Sequence, residues 1–234
     1  MIKVENIDTW GFEHAIRGMR NPLNSWERSD SSFGYEAYSG EFVPNLRIGE
    51  NDLDLMRRLY VGGQPHRKYL RQIFAVMDIT APLYWWKEFD TYKVGTTANS
   101  CSTMHKIAAK EFTLDDFSHE HLMNDMKSAG TELLDTAGLG TDIIVTPLSW
   151  LNITIGCLNN YRKMYIKTND KTWWWQMIQL LPSCYNQRRT VSMTYENVMN
   201  ILDYRQGHKL DEWREFCGIL RELPYIKEIR GENK

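Results

Sequence analysis

Ile73 to Thr80, IFAVMDIT, limits the fold more than any other stretch, being apolar except for Asp78 and its closing threonine. A continuous run of this kind reads as a buried strand. A lone carboxylate is costly to bury, so Asp78 is expected near the strand's exit. Pro82 then opens a short aromatic helix, Leu83-Tyr84-Trp85-Trp86-Lys87-Glu88-Phe89. After Asp90 the character changes. Thr91 to Met104 carries a glycine and a dense set of small polar residues: Thr96, Thr97, Asn99, Ser100, Cys101, Ser102 and Thr103. Such side chains leave the backbone open and offer donors to phosphate or carbonyl oxygens. The segment reads either as a ligand loop on a rigid support or as an ordinary surface connection.

The remaining elements follow from spacing and punctuation. Residues 1–9 read as a strand with Ile2, Val4 and Ile7 inward, and Asp8 or Thr9 caps a helix from Gly11 to Met19. Residues 23–49 read as irregular, interrupted by Pro44, and long enough to cover a site or pack on a partner chain. Asn51 or Asp52 caps a helix to Tyr60, and Pro65 starts a short one. His119 to Leu134 reads as an amphipathic helix weakened by Gly130. Pro147 opens a long helix to Tyr165; Thr172 to Leu181 is a further helix carrying Trp173-Trp174-Trp175. Tyr185 to Thr194 reads as a strand, and Tyr195 to Arg205 and Leu210 to Arg221 as closing helices before a frayed tail. No linker or repeat divides the 234 residues, so the expectation is a single α+β domain, a central sheet flanked by helices.

Composition narrows the function. No apolar run approaches a membrane span, and MIKVENIDTW lacks a signal peptide's apolar core, which points to a cytoplasmic protein with no membrane partner. Cys101, Cys157, Cys184 and Cys217 are scattered without a CxxC pair, against both a disulfide framework and a zinc finger. His119 and His121 share a face only on a strand and have no third ligand, so no metal is expected. A net charge of −2 argues against general nucleic-acid binding; an anionic ligand needs local positive charge. Nine Trp and twelve Tyr serve cores, oligomer interfaces and stacking sites.

Two stretches carry a family resemblance. Ala81-Pro82, the aromatic helix, the triplet Thr91-Tyr92-Lys93 and Cys101 stand at the spacing of the signature region of the flavin-dependent thymidylate synthases. Leu181-Pro182, the run Met199-Asn200-Ile201-Leu202-Asp203-Tyr204-Arg205 and Trp213 resemble a second block of that family. His66 falls where the family has a flavin-contacting histidine. The resemblance covers residues 50–104 and 176–215. It implies an α+β fold, a homotetramer, and FAD-dependent methylation of dUMP to dTMP with methylenetetrahydrofolate and NADPH. It also implies site roles: His66, Tyr92, Lys93, Asn99 and Asn200 toward the cofactor; Glu88, Ser100, Cys101, Ser102, Thr103 and Arg205 toward the nucleotide; Cys101 and Arg205 as the catalytic pair.

The chain departs from the family where positive charge is concentrated. Thr91-Tyr92-Lys93 replaces Arg-His-Arg, Glu88 a Gln, Asn99 a Glu, Thr103 an Arg and Ile178 another Arg. A lysine cannot reproduce a planar arginine fork. Arg188 and Arg189, or Lys87 and Arg67-Lys68, are the charges that could stand in. Arg205 and Asn200, about 140° apart on one helix, reach two neighbouring ligands, or else simply face solvent. Cys101 is either a nucleophile at the pyrimidine or a small semi-buried thiol in place of a serine. The alternative to a thymidylate synthase is a diverged nucleotide- or flavin-binding homologue with lost or altered catalysis.

Overall fold

The computed structural model describes residues 2–38, 41–125, 132–133 and 143–232. The chain begins β1 (Lys3–Trp10), α1 (Phe12–Arg20), β2 (Ser32–Tyr38), β3 (Glu41–Arg47), α2 (Glu50–Val61), β4 (Phe74–Pro82) and α3 (Leu83–Phe89). It continues β5 (Thr96–Ser100), α4 (Thr103–Lys106), β6 (Glu132–Leu133), β7 (Ile143–Ile144), α5 (Pro147–Thr168) and α6 (Lys171–Leu180). It ends β8 (Asn186–Thr194), α7 (Tyr195–Arg205), α8 (Asp211–Arg221) and α9 (Ile226–Arg230). A central antiparallel sheet has the order β1-β4-β8-β5, so the fold is mixed helix and sheet as the sequence implies.

Two compact units divide the chain. The first holds Met1–Lys3, Thr80–Asp90 and Ser100–Arg189; the second holds Val4–Ile79, Thr91–Asn99 and Thr190–Lys234.

The second unit is built on β4, where Ala75, Met77 and Ile79 are wholly buried at alternate positions and the intervening residues are half-buried. Asp78 is one of those half-buried residues, accepting from Asn6 Nδ2 at 2.8 Å and Thr190 Oγ1 at 2.5 Å. The helix α1 starts at Gly11, not at a cap from Asp8 or Thr9. Gly11 has φ +94°, and a Cβ there would meet Gln72 O at 2.1 Å. Gly11→Ala is therefore expected to lower stability by more than about 1 kcal/mol in urea melts, since both conformation and space exclude the methyl.

Residues 23–49 correct the irregular reading. β2 and β3 pair antiparallel, with Tyr35 opposite Pro44 and Ser32 opposite Arg47. The helix α2 is capped from that segment, not by its own Asn51 or Asp52. Asp30 accepts from the backbone N–H of Asn51 at 2.9 Å and of Asp52 at 3.1 Å. Ile7, expected inward, is exposed; Asn6 before it has φ +52°, outside extended backbone, and Asn6, Ile7 and Asp8 are exposed together. Ile226–Arg230 adds a short helix between the last expected helix and the tail, seated by buried Ile226 and Ile229.

In the first unit Trp85, Trp86 and Phe89 are buried on α3, with ring centroids 4.9 to 5.3 Å apart. A second cluster joins Phe112, Phe117, Leu151, Ile155, Leu158 and Met177. Thr146 caps α5 through Ser149 N at 3.1 Å, ahead of Pro147, and Asp170 caps α6 through Thr172 N at 2.8 Å. The residue that α6 buries is Met177; Trp175 is exposed and Trp173 and Trp174 half-buried. The helix expected from His119 to Leu134 does not form over 119–125, where a turn closes from His119 to Leu122 and Glu120 accepts from Ser118 and the His119 N–H. Glu132–Leu133 pairs with Ile143–Ile144 instead, and the rest of that expected helix lies outside the described residues. No helix among the described residues is long and apolar enough to cross a membrane.

Candidate functional site

Within the second unit, the triplet position and the distant helix end meet. Arg205, the last residue of α7, is half-buried, and its Nε donates to Tyr92 Oη at 3.0 Å. Its guanidinium carbon lies 4.8 Å from the centroid of the Trp213 ring and 5.7 Å from that of Tyr92. Trp213 is fully buried on α8, so it offers a fixed face. A cation over an aromatic face gains electrostatic attraction from the ring. The solvated-charge reading of Arg205 is thereby corrected: the side chain is held by two rings and a hydroxyl.

Asn197, not singled out in the sequence, fixes the loop that brings Tyr92 there. It is 7% exposed, and its Nδ2 donates to Val94 O at 2.5 Å and Thr96 Oγ1 at 2.7 Å. Gly95 packs beside it with φ +73°, and its carbonyl accepts from Thr194 N at 3.0 Å. Both groups sit at the start of α7, whose Thr194 hydroxyl caps Asn197 N. A capping threonine followed by a first-turn asparagine was the available signal; its long-range partner was not. Lys93 and Asn99 are exposed, and Asn200 is half-buried.

His66 lines a separate cavity of about 480 Å³ in the second unit, walled by Met19, Leu59, Tyr69 and Gln72 with Lys68 alongside. Burial pushes the Tyr69 phenol far above its ordinary range, so it stays protonated and donates to Met56 O at 2.9 Å. Apolar walls with an amide, an amine and an imidazole suit a flat conjugated ring with polar edges.

In the first unit Cys101, Ser102 and Thr103 line a cavity of about 500 Å³ with Lys106, Lys110, Phe112, Tyr185 and Arg188. Cys101 is exposed, not semi-buried as a serine substitute would be. Its backbone is pinned twice: its N–H donates to Arg188 O at 2.9 Å, and its carbonyl accepts from Gln187 Nε2 at 3.0 Å. Ser102 Oγ accepts from His105 N and starts α4. Burial, with the Asp116 charge nearby, raises the Tyr185 hydroxyl's pKa. Arg189, one of the possible stand-in charges, is engaged elsewhere: it pairs with Asp90 at 2.7 Å, donates to Gln187 at 3.0 Å and lies 4.2 Å from the Trp86 ring centroid. Glu88 is half-buried, and Ser100 exposed on β5. The structure thus joins Tyr92 with Arg205 in one unit and Cys101 with Ser102 and Thr103 in the other. Arg205 is not among the residues lining the His66 cavity.

No family model matches the sequence, and no curated protein matches it. Solved structures do. A thymidylate synthase from Helicobacter pylori, crystallised with FAD and dUMP, matches with a TM-score of 0.63 at 17% identity, over 100% of this chain and 98% of that one. A second structure, of a flavin-dependent thymidylate synthase from Helicobacter pylori complexed with FAD and dUMP, matches with the same score and identity over 99% and 98%. A UMP/dUMP methylase from Streptomyces cacaoi, bound with 5-bromo-UMP, matches with a TM-score of 0.61 at 12% identity, over 99% and 94%. Along its whole length, this chain has the fold of the flavin-dependent thymidylate synthases.

Proposed function

We propose that the protein is a flavin-dependent enzyme that methylates a uridine nucleotide, with dUMP to dTMP as the reaction. The full-length match to a fold solved with FAD and dUMP supports this reading. The observation that carries it is the Arg205–Tyr92–Trp213 cluster, which orients a guanidinium at the helix end where the family resemblance puts the nucleotide's phosphate. Methylenetetrahydrofolate is the one-carbon donor and NADPH the reductant in this reading. The working form is a cytoplasmic homotetramer.

His66, Lys68 and Gln72, which line one cavity, are the residues that would hold the flavin's ring edges; the family resemblance adds Tyr92, Lys93, Asn99 and Asn200 toward the cofactor. Bound FAD supplies, when reduced, the hydride that completes the new methyl group. The chain's own residues position and neutralise. Arg205 fixes the anionic nucleotide, and Trp213 and Tyr92 keep its fork from swinging. In this reading Cys101, Ser100, Ser102, Thr103 and Glu88 would face the nucleotide, with the exposed Cys101 thiol turned to the pyrimidine.

The purified protein is expected to be yellow, and to release tritium from 5-tritiated dUMP when given methylenetetrahydrofolate and NADPH. A colourless protein without tritium release would remove the reading. The second reading, a homologue with altered nucleotide choice or lost catalysis, is favoured by the neutral Thr91 and Tyr92 in the triplet and by the likeness to a methylase that takes UMP as well as dUMP. Bound flavin with no turnover of dUMP, and turnover or binding of UMP, would select it.

A further inference from the structure

The long helix α5 is apolar on two faces. Leu151, Ile155 and Leu158 are buried in the second cluster of the first unit. Asn159 and Arg162 fasten that side, Asn159 Nδ2 donating to Phe112 O at 2.8 Å and Arg162 Nε to Ala108 O at 3.0 Å. A second set points outward. Trp150, Ile153 and Met164 are 56%, 48% and 37% exposed, and Cys157 is exposed between them. At about 100° per residue these four fall within about 60° of one another. Their intervals, three, four and seven, are those of a seam along which two helices pair. A surface helix needs one apolar stripe for its own core, so a second one asks for a partner.

We propose that α5 pairs antiparallel with α5 of a second copy of this chain, across a two-fold axis at Cys157. Three observations name that occupant. The seam is symmetric in spacing: Trp150 stands seven residues before Cys157 and Met164 seven after. An antiparallel crossing at Cys157 therefore sets each Trp150 against the partner's Met164, an indole against a thioether. A two-fold contact needs a patch complementary to itself, and this spacing supplies one. The crossing point is also small, because Cys157 follows Gly156, where an added Cβ would meet nothing within 4 Å. Charge, finally, has opposite sign at the two ends. Lys163 and Lys167 are exposed toward the C-terminus of α5. At the other end Leu148 N donates to Met123 O at 3.2 Å, which brings exposed Asp125 near the helix start. Lys167 and Pro147 each lie about 15 Å along the helix from Cys157, so antiparallel pairing carries each basic end to the other's acidic one. Parallel pairing would gather the lysines together. The inference goes beyond the tetramer of the reading above, which names neither a face nor a direction.

The test measures mass by sedimentation of the full chain. Wild type is expected to be a dimer or a multiple of two. Trp150→Glu and Met164→Lys should each halve that mass, raising the dissociation constant at least about tenfold. Combined in one chain, the two substitutions set opposite charges across the antiparallel register and should restore association, most strongly at low salt. In Cys101→Ser, which leaves Cys157 as the exposed cysteine, diamide should link two chains through a bond that Cys101→Ser/Cys157→Ser cannot form. Melting temperatures identify any variant that fails to fold, and the Cys157 link then decides without it. Unchanged mass in both folded single variants overturns the inference. So does a monomeric wild type, which would leave the seam to a different partner, and so does a double variant no more associated than the single ones. A tetramer indifferent to every substitution, with flavin and turnover, overturns the inference and keeps the proposed reaction. Dimers that depend on the seam, in a protein without flavin or turnover, do the reverse.

Discussion

Asp52→Ala is expected to destabilise the protein by about 3–5 kcal/mol, the cost of stranding a buried charge. The carboxylate is wholly buried and the facing Arg20 is 4% exposed, with Arg20 Nε donating to Asp52 at 2.6 Å. The second oxygen accepts from Ser29 Oγ at 2.7 Å, Ser31 Oγ at 2.6 Å and the Asp30 and Ser31 N–H groups at 3.2 Å. Removing the carboxylate strands the guanidinium and all of these donors together. Urea unfolding measures the loss, and a change below about 1 kcal/mol would show that the cluster is not coupled as drawn. Replacing Arg20 and Asp52 together by Met and Leu should recover much of the stability, since the partnerless charge is gone.

The same carboxylate sets a pH dependence. Burial alone raises its pKa, but the Ser31, Ser29 and Arg20 hydrogen bonds and the Arg20 charge outweigh burial and hold it below the ordinary 3.8. The folded state therefore binds its proton less readily than the unfolded chain. The stability this contributes is fully present above the unfolded value and is lost as pH falls below about 3.8 through the folded value. In Asp52→Asn that part of the acid limb should disappear.

Arg205→Ala is expected to weaken dUMP binding by about 1.5–3 kcal/mol, the range for hydrogen bonds to a charged group. Arg205→Lys should recover only part of it, because an ammonium lacks the planar fork that Tyr92 and Trp213 orient. Tyr92→Phe removes the hydroxyl that accepts from Nε while keeping the ring, and should cost about 0.5–1.5 kcal/mol of the same affinity. Calorimetry with dUMP measures all three. Equal affinity in wild type and Arg205→Ala would take the helix end out of the site.

Much of the fold could be read from local pattern. The apolar run before Ala81-Pro82, the aromatic helix behind Pro82 and the helix from Tyr195 to Arg205 form as their periods and caps imply. The β2–β3 hairpin could not be read, because Gly34, Pro44 and the polar residues between resemble a loop until the two strands pair. Nor could the cap of α2, since its donor groups are answered by Asp30 from another segment. The site divides along the same line. The family resemblance implies roles for Tyr92 and Arg205, but their contact at 3.0 Å spans 113 positions. Asn197 was missed because a buried asparagine looks like any polar helix residue until Val94 and Thr96 reach it.

Taken alone, then, the sequence determined most of the segments that are strands or helices where burial repeats at a short period, the stretch from His119 excepted, and which residue types stand at the family's spacing. Only the tertiary structure decided which charges have which partners: Arg189 is held by Asp90 and Trp86, and Arg205 lies over Trp213. The physical reason is range. Periodicity reports a residue's own solvent contact, whereas an ion pair or hydrogen bond depends on whichever distant group folding sets beside it.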